Sequence, residues 1–188
     1  MPNFTKKAIK EAFLKLLNEN PLNKISVRTI VEECGINRNS FYYHFRDIPS
    51  LIEEIVTDAA NTLIKKYPSI NSIDEAADAA FHFTLKNKKA VLHICNSINR
   101  NIYEQYLMKI CDHVVRTYFE TVFSSKKNTV SLEDKEIMIN FTKCSLFGLF
   151  IDWINNGMQD DAIDKLKRLI SLCRGLSDEM LERCQNNT

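Results

Sequence analysis

Helix breakers are scarce. The chain of 188 residues holds only 4 glycines and 4 prolines, and long stretches lack both, which argues for a protein built mostly of helix. Strand-like alternation of useful length, internal repeats and low-complexity segments are also missing. None of the 6 cysteines stands in CxxC spacing, so a structural zinc site or a redox dithiol has no support, and no metal and no cofactor is expected. Lysines follow Met1 within a few residues, without the apolar stretch of a secretion signal, so the expectation is a cytoplasmic protein with reduced thiols. Uninterrupted apolar runs are short, and no membrane partner is expected. There is no glycine-rich phosphate loop, no GxSxG, no HExxH and no Cys–His dyad in a triad-like context, so the chain is expected not to be an enzyme.

What is present is an ordinary globular composition with an uneven charge. Hydrophobic residues make up 45% and charged residues 26%, and the length suits one mid-sized domain or a small domain joined to a larger one. Net charge is +1, yet residues 1–50 carry a surplus of +3 and the remainder −2. A basic N-terminal part on an acidic body favours an anionic partner near the N-terminus.

Periodicity divides the chain into about nine helices. Ile9, Ala12, Phe13, Leu16 and Leu17 share one helical face, and Pro21 ends that helix. Ser26 is a candidate N-cap for a short helix through Cys34, which Gly35 stops; Asn37 is placed to cap a third helix over Arg38 to Phe45. Two short helices across a tight glycine-containing turn make a helix-turn-helix. Pro49 opens a fourth helix. Three more are expected over 74–86, 90–98 and 102–123. Ser131 caps a long helix over 132–156, and a last helix runs over 160–184 beyond Gly157.

The stretch Asn37 to Leu51, NRNSFYYHFRDIPSL, packs five rings and few acids. It reads as core, as an aromatic cage, or as a helix that meets a polyanion. Phe41 and Phe45, at i and i+4, point inward. Arg38, Asn39 and Ser40 at the helix N-terminus are donors and acceptors suited to base edges in a major groove, and Tyr42, Tyr43 and His44 are suited to phosphates.

From Thr5 to about Ile55 the chain resembles the TetR family of bacterial transcriptional regulators. The opening helix TKKAIKEAFLKLL, the segment ISVRTIVEECGINRNSFYYHF and the following LIEEIV carry the resemblance. It implies an all-α protein with a helix-turn-helix DNA-binding domain (residues 1–48) and a helical ligand-binding and dimerisation domain (residues 49–188). Such a protein acts as a homodimer that binds a palindromic double-stranded operator and blocks transcription until a small molecule releases it. By the same resemblance Arg38, Asn39 and Ser40 read bases, while Arg28, Thr29, Tyr42, Tyr43 and His44 hold phosphates. Many relatives have a lysine between the third and fourth helices; here Asp47-Ile48-Pro49 stands, and Lys6 or Lys7 of the first helix is expected to compensate.

In the body, Phe81, His82, His93, Tyr103, Tyr106, His113, Met138, Cys144 and Phe147 mix polar anchors with apolar groups, as a pocket for a small hydrophobic ligand would. Two apolar stripes are candidates for a four-helix dimer interface. Leu146, Leu149, Phe150, Trp153 and Ile154 form one; Ile163, Leu166, Leu169, Ile170, Leu172 and Cys173 form the other. The alternatives are an activator or co-regulator of the same fold, or a helical interaction protein without DNA binding.

Overall fold

The protein is described by a computed structural model over residues 2–68, 73–98, 100–125, 130–159 and 161–186. Every regular element among them is helical: α1 (Pro2–Glu19), α2 (Val27–Cys34), α3 (Arg38–His44), α4 (Ile48–Lys66), α5 (Ile73–Lys86), α6 (Lys88–Cys95), α7 (Arg100–Ser125), α8 (Leu132–Asn155), α9 (Ala162–Leu172) and α10 (Leu176–Asn186), with a short 3-10 turn at Leu22–Lys24. The all-α fold expected from the scarcity of breakers is the fold found. The segment expected as one final helix runs as two. Gly175 takes the left-handed φ of 86° between them, a conformation that glycine adopts without strain and that cannot continue a helix.

The chain forms two compact units, Met1–Ala59 with Thr84–Tyr106, and Ala60–Phe83 with Leu107–Thr188. In the first, Ile9, Phe13 and Leu17 of α1 meet Ile30 and Val31 of α2, Phe41 and Phe45, and Leu51 and Ile52 of α4. Phe41 is wholly buried, and burying a ring of that size stabilises by roughly 1.5–3 kcal/mol. Ala90 and Tyr103 complete this core. His93 ties α6 to the end of α1: its Nδ1 lies 2.8 Å from the Leu17 carbonyl, which can only accept, so the ring donates there. Lys6 and Lys10 of α1 pair with Glu54 of α4, and Lys10 also with Asp58.

In the second unit, Val115, Phe119, Val122, Met138, Ile139 and Leu181 form the core. Arg116 braces α7 against α8. Its two terminal nitrogens hold both Glu136 oxygens at 2.6 and 2.8 Å, and its Nε holds Asp112 at 2.7 Å. Lys143 adds a second cation to Asp112 at 3.0 Å. The end of α8 is closed by Gly157 at φ 75°: its N–H donates to Ile154 and that of Met158 to Trp153.

One helix departs from the sequence expectation in character. α8 is long and apolar enough to cross a membrane by length and composition, with a mean hydropathy of 1.4 over its most apolar window, of which only 22% is buried within the chain. Its uninterrupted apolar runs are short, but its charged residues are spaced thinly enough to leave the helix apolar as a whole.

Candidate nucleic-acid interface

The turn between α2 and α3 is three residues, Gly35 to Asn37, and α2 itself starts on a cap. Ser26 caps α2 in a reciprocal box: its Oγ accepts from the Thr29 N–H at 3.2 Å, and Thr29 Oγ1 accepts from the Ser26 N–H at 3.0 Å. Gly35, at φ 67° and ψ 31°, ends the helix, and the Ile36 N–H returns to the Val31 carbonyl at 3.0 Å. Asn37 then caps α3, with Oδ1 accepting from the Ser40 N–H at 2.8 Å and the Ser40 hydroxyl at 3.1 Å. Caps on both sides of a left-handed glycine leave the chain little freedom, so α3 is held rigidly against α2.

On α3, Phe41 is buried and, with Phe45 just past its end, faces inward, rings 5.8 Å apart. Arg38 and Asn39 are exposed at its tip, and their side chains have no partner among the described residues. Ser40 is half-buried; its proton belongs to Asn37, so its oxygen remains as an acceptor. Tyr42 and Tyr43 are 56% and 78% exposed, and the half-buried His44 stands edge-on to Tyr43 at 5.0 Å. Large aromatic side chains this open beside unpaired polar tips are the reverse of what a closed core needs.

The cations read as phosphate contacts are less free. Arg28 is exposed, but its Nε donates to Glu32 at 2.7 Å. Lys6 lies 2.7 Å from Glu54 and 5.6 Å from the Phe45 ring centre. The Thr29 hydroxyl donates to the Ser26 carbonyl at 2.8 Å. Asp47, standing where relatives carry lysine, has a structural task. Its Oδ1 accepts from the Ser50 N–H at 2.8 Å and its own N–H donates to Ser50 Oγ at 3.1 Å, which closes the first turn of α4. Burial works against its charge, but Ser50 and Arg46 outweigh it and hold the Asp47 carboxyl below its ordinary range. Sequence reasoning passed over Lys24. It is exposed at the foot of α2 without a partner among the described residues, and the buried Ile25 sits between it and exposed Ser26, which points both outward.

The residues read as a pocket divide between the two units. His93, Tyr103 and Tyr106 are taken up by the packing of the first unit. In the second, Phe81 is buried with its ring 4.4 Å from that of Trp153, and Met138 is buried in the core. His82 is exposed beside Asp78, His113 is exposed with Nε2 2.9 Å from Asn61 Oδ1, Phe147 is half-buried and Cys144 is exposed.

Of the residues read as an interface, Trp153 is buried within its own chain, its Nε1 donating to the Gln159 carbonyl at 3.0 Å. Phe150, Leu166, Leu169 and Ile170 are half-buried and Cys173 is exposed; the Ile163 side chain lies outside the described residues. The widest open face of α8 carries Ile137, Phe141 and Leu149, with Leu172 and Leu176 exposed further on. Ile137, Phe141 and Leu176 were not singled out from the sequence. α8 is apolar on more than one face, so periodicity alone does not tell its inner side from its outer.

Residues 9–55 match the family described as bacterial regulatory proteins, tetR family, and residues 71–175 match a transcriptional regulator C-terminal region. An uncharacterized HTH-type transcriptional regulator, YxbF of Bacillus subtilis (strain 168), is 32% identical over 65 residues, which is 35% of this chain and 17% of that protein; the match thus spans a small part of that relative. Among solved structures, the dihydroxyacetone kinase operon activator DhaS superposes with a TM-score of 0.67 at 16% identity, covering 96% of each chain, a likeness of fold.

Proposed function

Because the chain belongs to the TetR family of bacterial regulatory proteins, we propose that it represses transcription, binding a palindromic duplex operator as a homodimer and leaving it when a small molecule binds. Membership makes the protein a transcriptional regulator, and the family is one of regulators and not of enzymes. The observation that carries the rest is the tip of α3, where Arg38 and Asn39 stand exposed and unpaired on a rigidly capped helix. With the Ser40 oxygen they offer the guanine, adenine and cytosine edges complementary groups, while Tyr42, Tyr43, His44, Arg28, Lys6 and Lys24 are assigned to the backbone. Thr29 keeps only its cap.

In this reading residues 1–48 read DNA and residues 49–188 assemble and sense. The dimer face we assign is the open side of α8 with α9 and α10, where Ile137, Phe141 and Leu149 join Leu166, Leu169 and Ile170. Two heads are needed because palindromic half-sites lie about 34–36 Å apart, one helical turn. A small apolar ligand would take Phe81, Met138, Cys144 and Phe147 of the second unit as its surroundings. Repression is preferred to activation because occupying an operator needs nothing beyond the heads; the activator named above shares a fold and no more. The work is cytoplasmic, where the DNA is.

Selection from a random duplex pool at fixed, moderate salt tests this. One enriched palindrome with half-sites about ten base pairs apart is expected. A pool that stays random would defeat the DNA-reading function.

A further inference from the structure

Two of the three cations assigned to the DNA backbone, Arg28 and Lys6, already hold carboxylates of their own chain, whereas Lys24 holds none among the described residues. Arg28 holds Glu32 at 2.7 Å and Lys6 holds Glu54 at 2.7 Å. Arg38, assigned to a base edge, holds none among the described residues.

Arg28 and Glu32 make the simplest case. They lie four apart on α2, with side chains 70% and 59% exposed, so their pairing is no requirement of the core. A carboxylate and a phosphate offer a guanidinium the same kind of acceptor, two anionic oxygens at hydrogen-bonding distance. Arg28 meets Glu32 through Nε alone, so a phosphate gripped by its other N–H groups would stand beside the carboxylate as a like charge, and one gripped through Nε would displace it.

We infer that Glu32 is an intramolecular competitor for the DNA backbone, which lowers the affinity of the head for duplex of any sequence. It acts through Arg28 and reads no base. By suppressing the sequence-neutral part of binding, it leaves the contacts of Arg38 and Asn39 a larger share of the total. The inference rests on the DNA-reading function proposed above.

The test measures binding of the full-length protein to the selected duplex and to a scrambled one across a salt series. Glu32→Gln is compared with wild type, each in the native and the Arg28→Ala background, after thermal melts confirm folding. One released phosphate contact steepens the log–log salt slope by about 0.9, or about eightfold in affinity at about 0.1 M salt, for each head engaged. The gain is expected on both duplexes and is expected to vanish in the Arg28→Ala background. Weaker binding would mean that Glu32 aims Arg28 at the phosphate, and unchanged binding with a wild-type slope that Glu32 does not compete; either would overturn the inference. So would a gain that persists without Arg28, which marks a general field effect. A wild-type protein that binds neither duplex at any salt removes the DNA-reading function itself, and the inference with it.

Discussion

Replacing Gly35 with alanine isolates the backbone of the turn that positions α3. The residue sits at φ 67° and ψ 31°, and a Cβ built there meets no heavy atom within 4 Å. Alanine therefore brings no clash, and the whole effect is conformational. The left-handed region costs an L-residue roughly 1–2 kcal/mol. Lower entropy of the unfolded alanine chain adds to the deficit only in the opposite sense, recovering roughly 0.4–1 kcal/mol. The net expectation is a loss of about 1 kcal/mol, or a urea midpoint lowered by about 0.5 M at an m-value of about 2 kcal/mol/M. Asparagine, which tolerates the left-handed region, is expected to do better than alanine. Gly148 supplies the opposite sign: it lies inside α8 without positive φ and with open space around its Cβ, so alanine there gains roughly 0.5–1 kcal/mol of helix propensity. Urea denaturation followed by far-UV circular dichroism, at one protein concentration so that assembly does not move the midpoint, reads all three. A Gly35→Ala protein as stable as wild type, or an asparagine variant no better than the alanine one, would refute the assignment of the cost to backbone geometry.

Arg38→Ala is expected to cost about 1–3 kcal/mol on the selected operator and little on a scrambled duplex; equal loss on both would reduce Arg38 to a phosphate contact. Asp47 bears on acid stability. A carboxyl lowered by folding contributes stability that is complete above its unfolded value and is lost as pH falls through its folded value, so Asp47→Asn, which keeps a capping oxygen, should make the decline in stability below about pH 4 shallower. Stability curves for the two proteins that run parallel down to pH 2 would count against it. Phe141→Arg puts a charge on the open face of α8 and is expected to weaken self-association by about 2 kcal/mol or more, seen by sedimentation. A dimer as tight as wild type would move the interface elsewhere.

The N-terminal helices were legible because their boundaries rest on local chemistry. Ser26, Gly35 and Asn37 are each the residue type that a cap or a left-handed turn demands, and each does that work. Phe41 and Phe45 could be sent inward by spacing alone. What the sequence concealed is pairing across helices. Nothing in the order of residues tells that Lys6 meets Glu54, or that His93 reaches back to Leu17. The body was harder for a related reason. An apolar residue on α8 gains as much from a neighbour in its own chain as from any other surface, so Trp153 and Phe141 look alike until packing buries one and leaves the other open. Gly175 had a plain signal, a lone glycine in a helical run, which a long apolar period overrode.

The two cores close at different moments of synthesis. The first takes its last member at Tyr103, whereas the second cannot close until Leu181, wholly buried among residues from α7 and α8, has been made. A ribosome releasing the chain from its N-terminal end thus frees a complete DNA-reading core while α7 and α8 still wait for α10. A chain cut short between those two points would keep its head and carry an unsealed body, an easy target for chaperones and proteases.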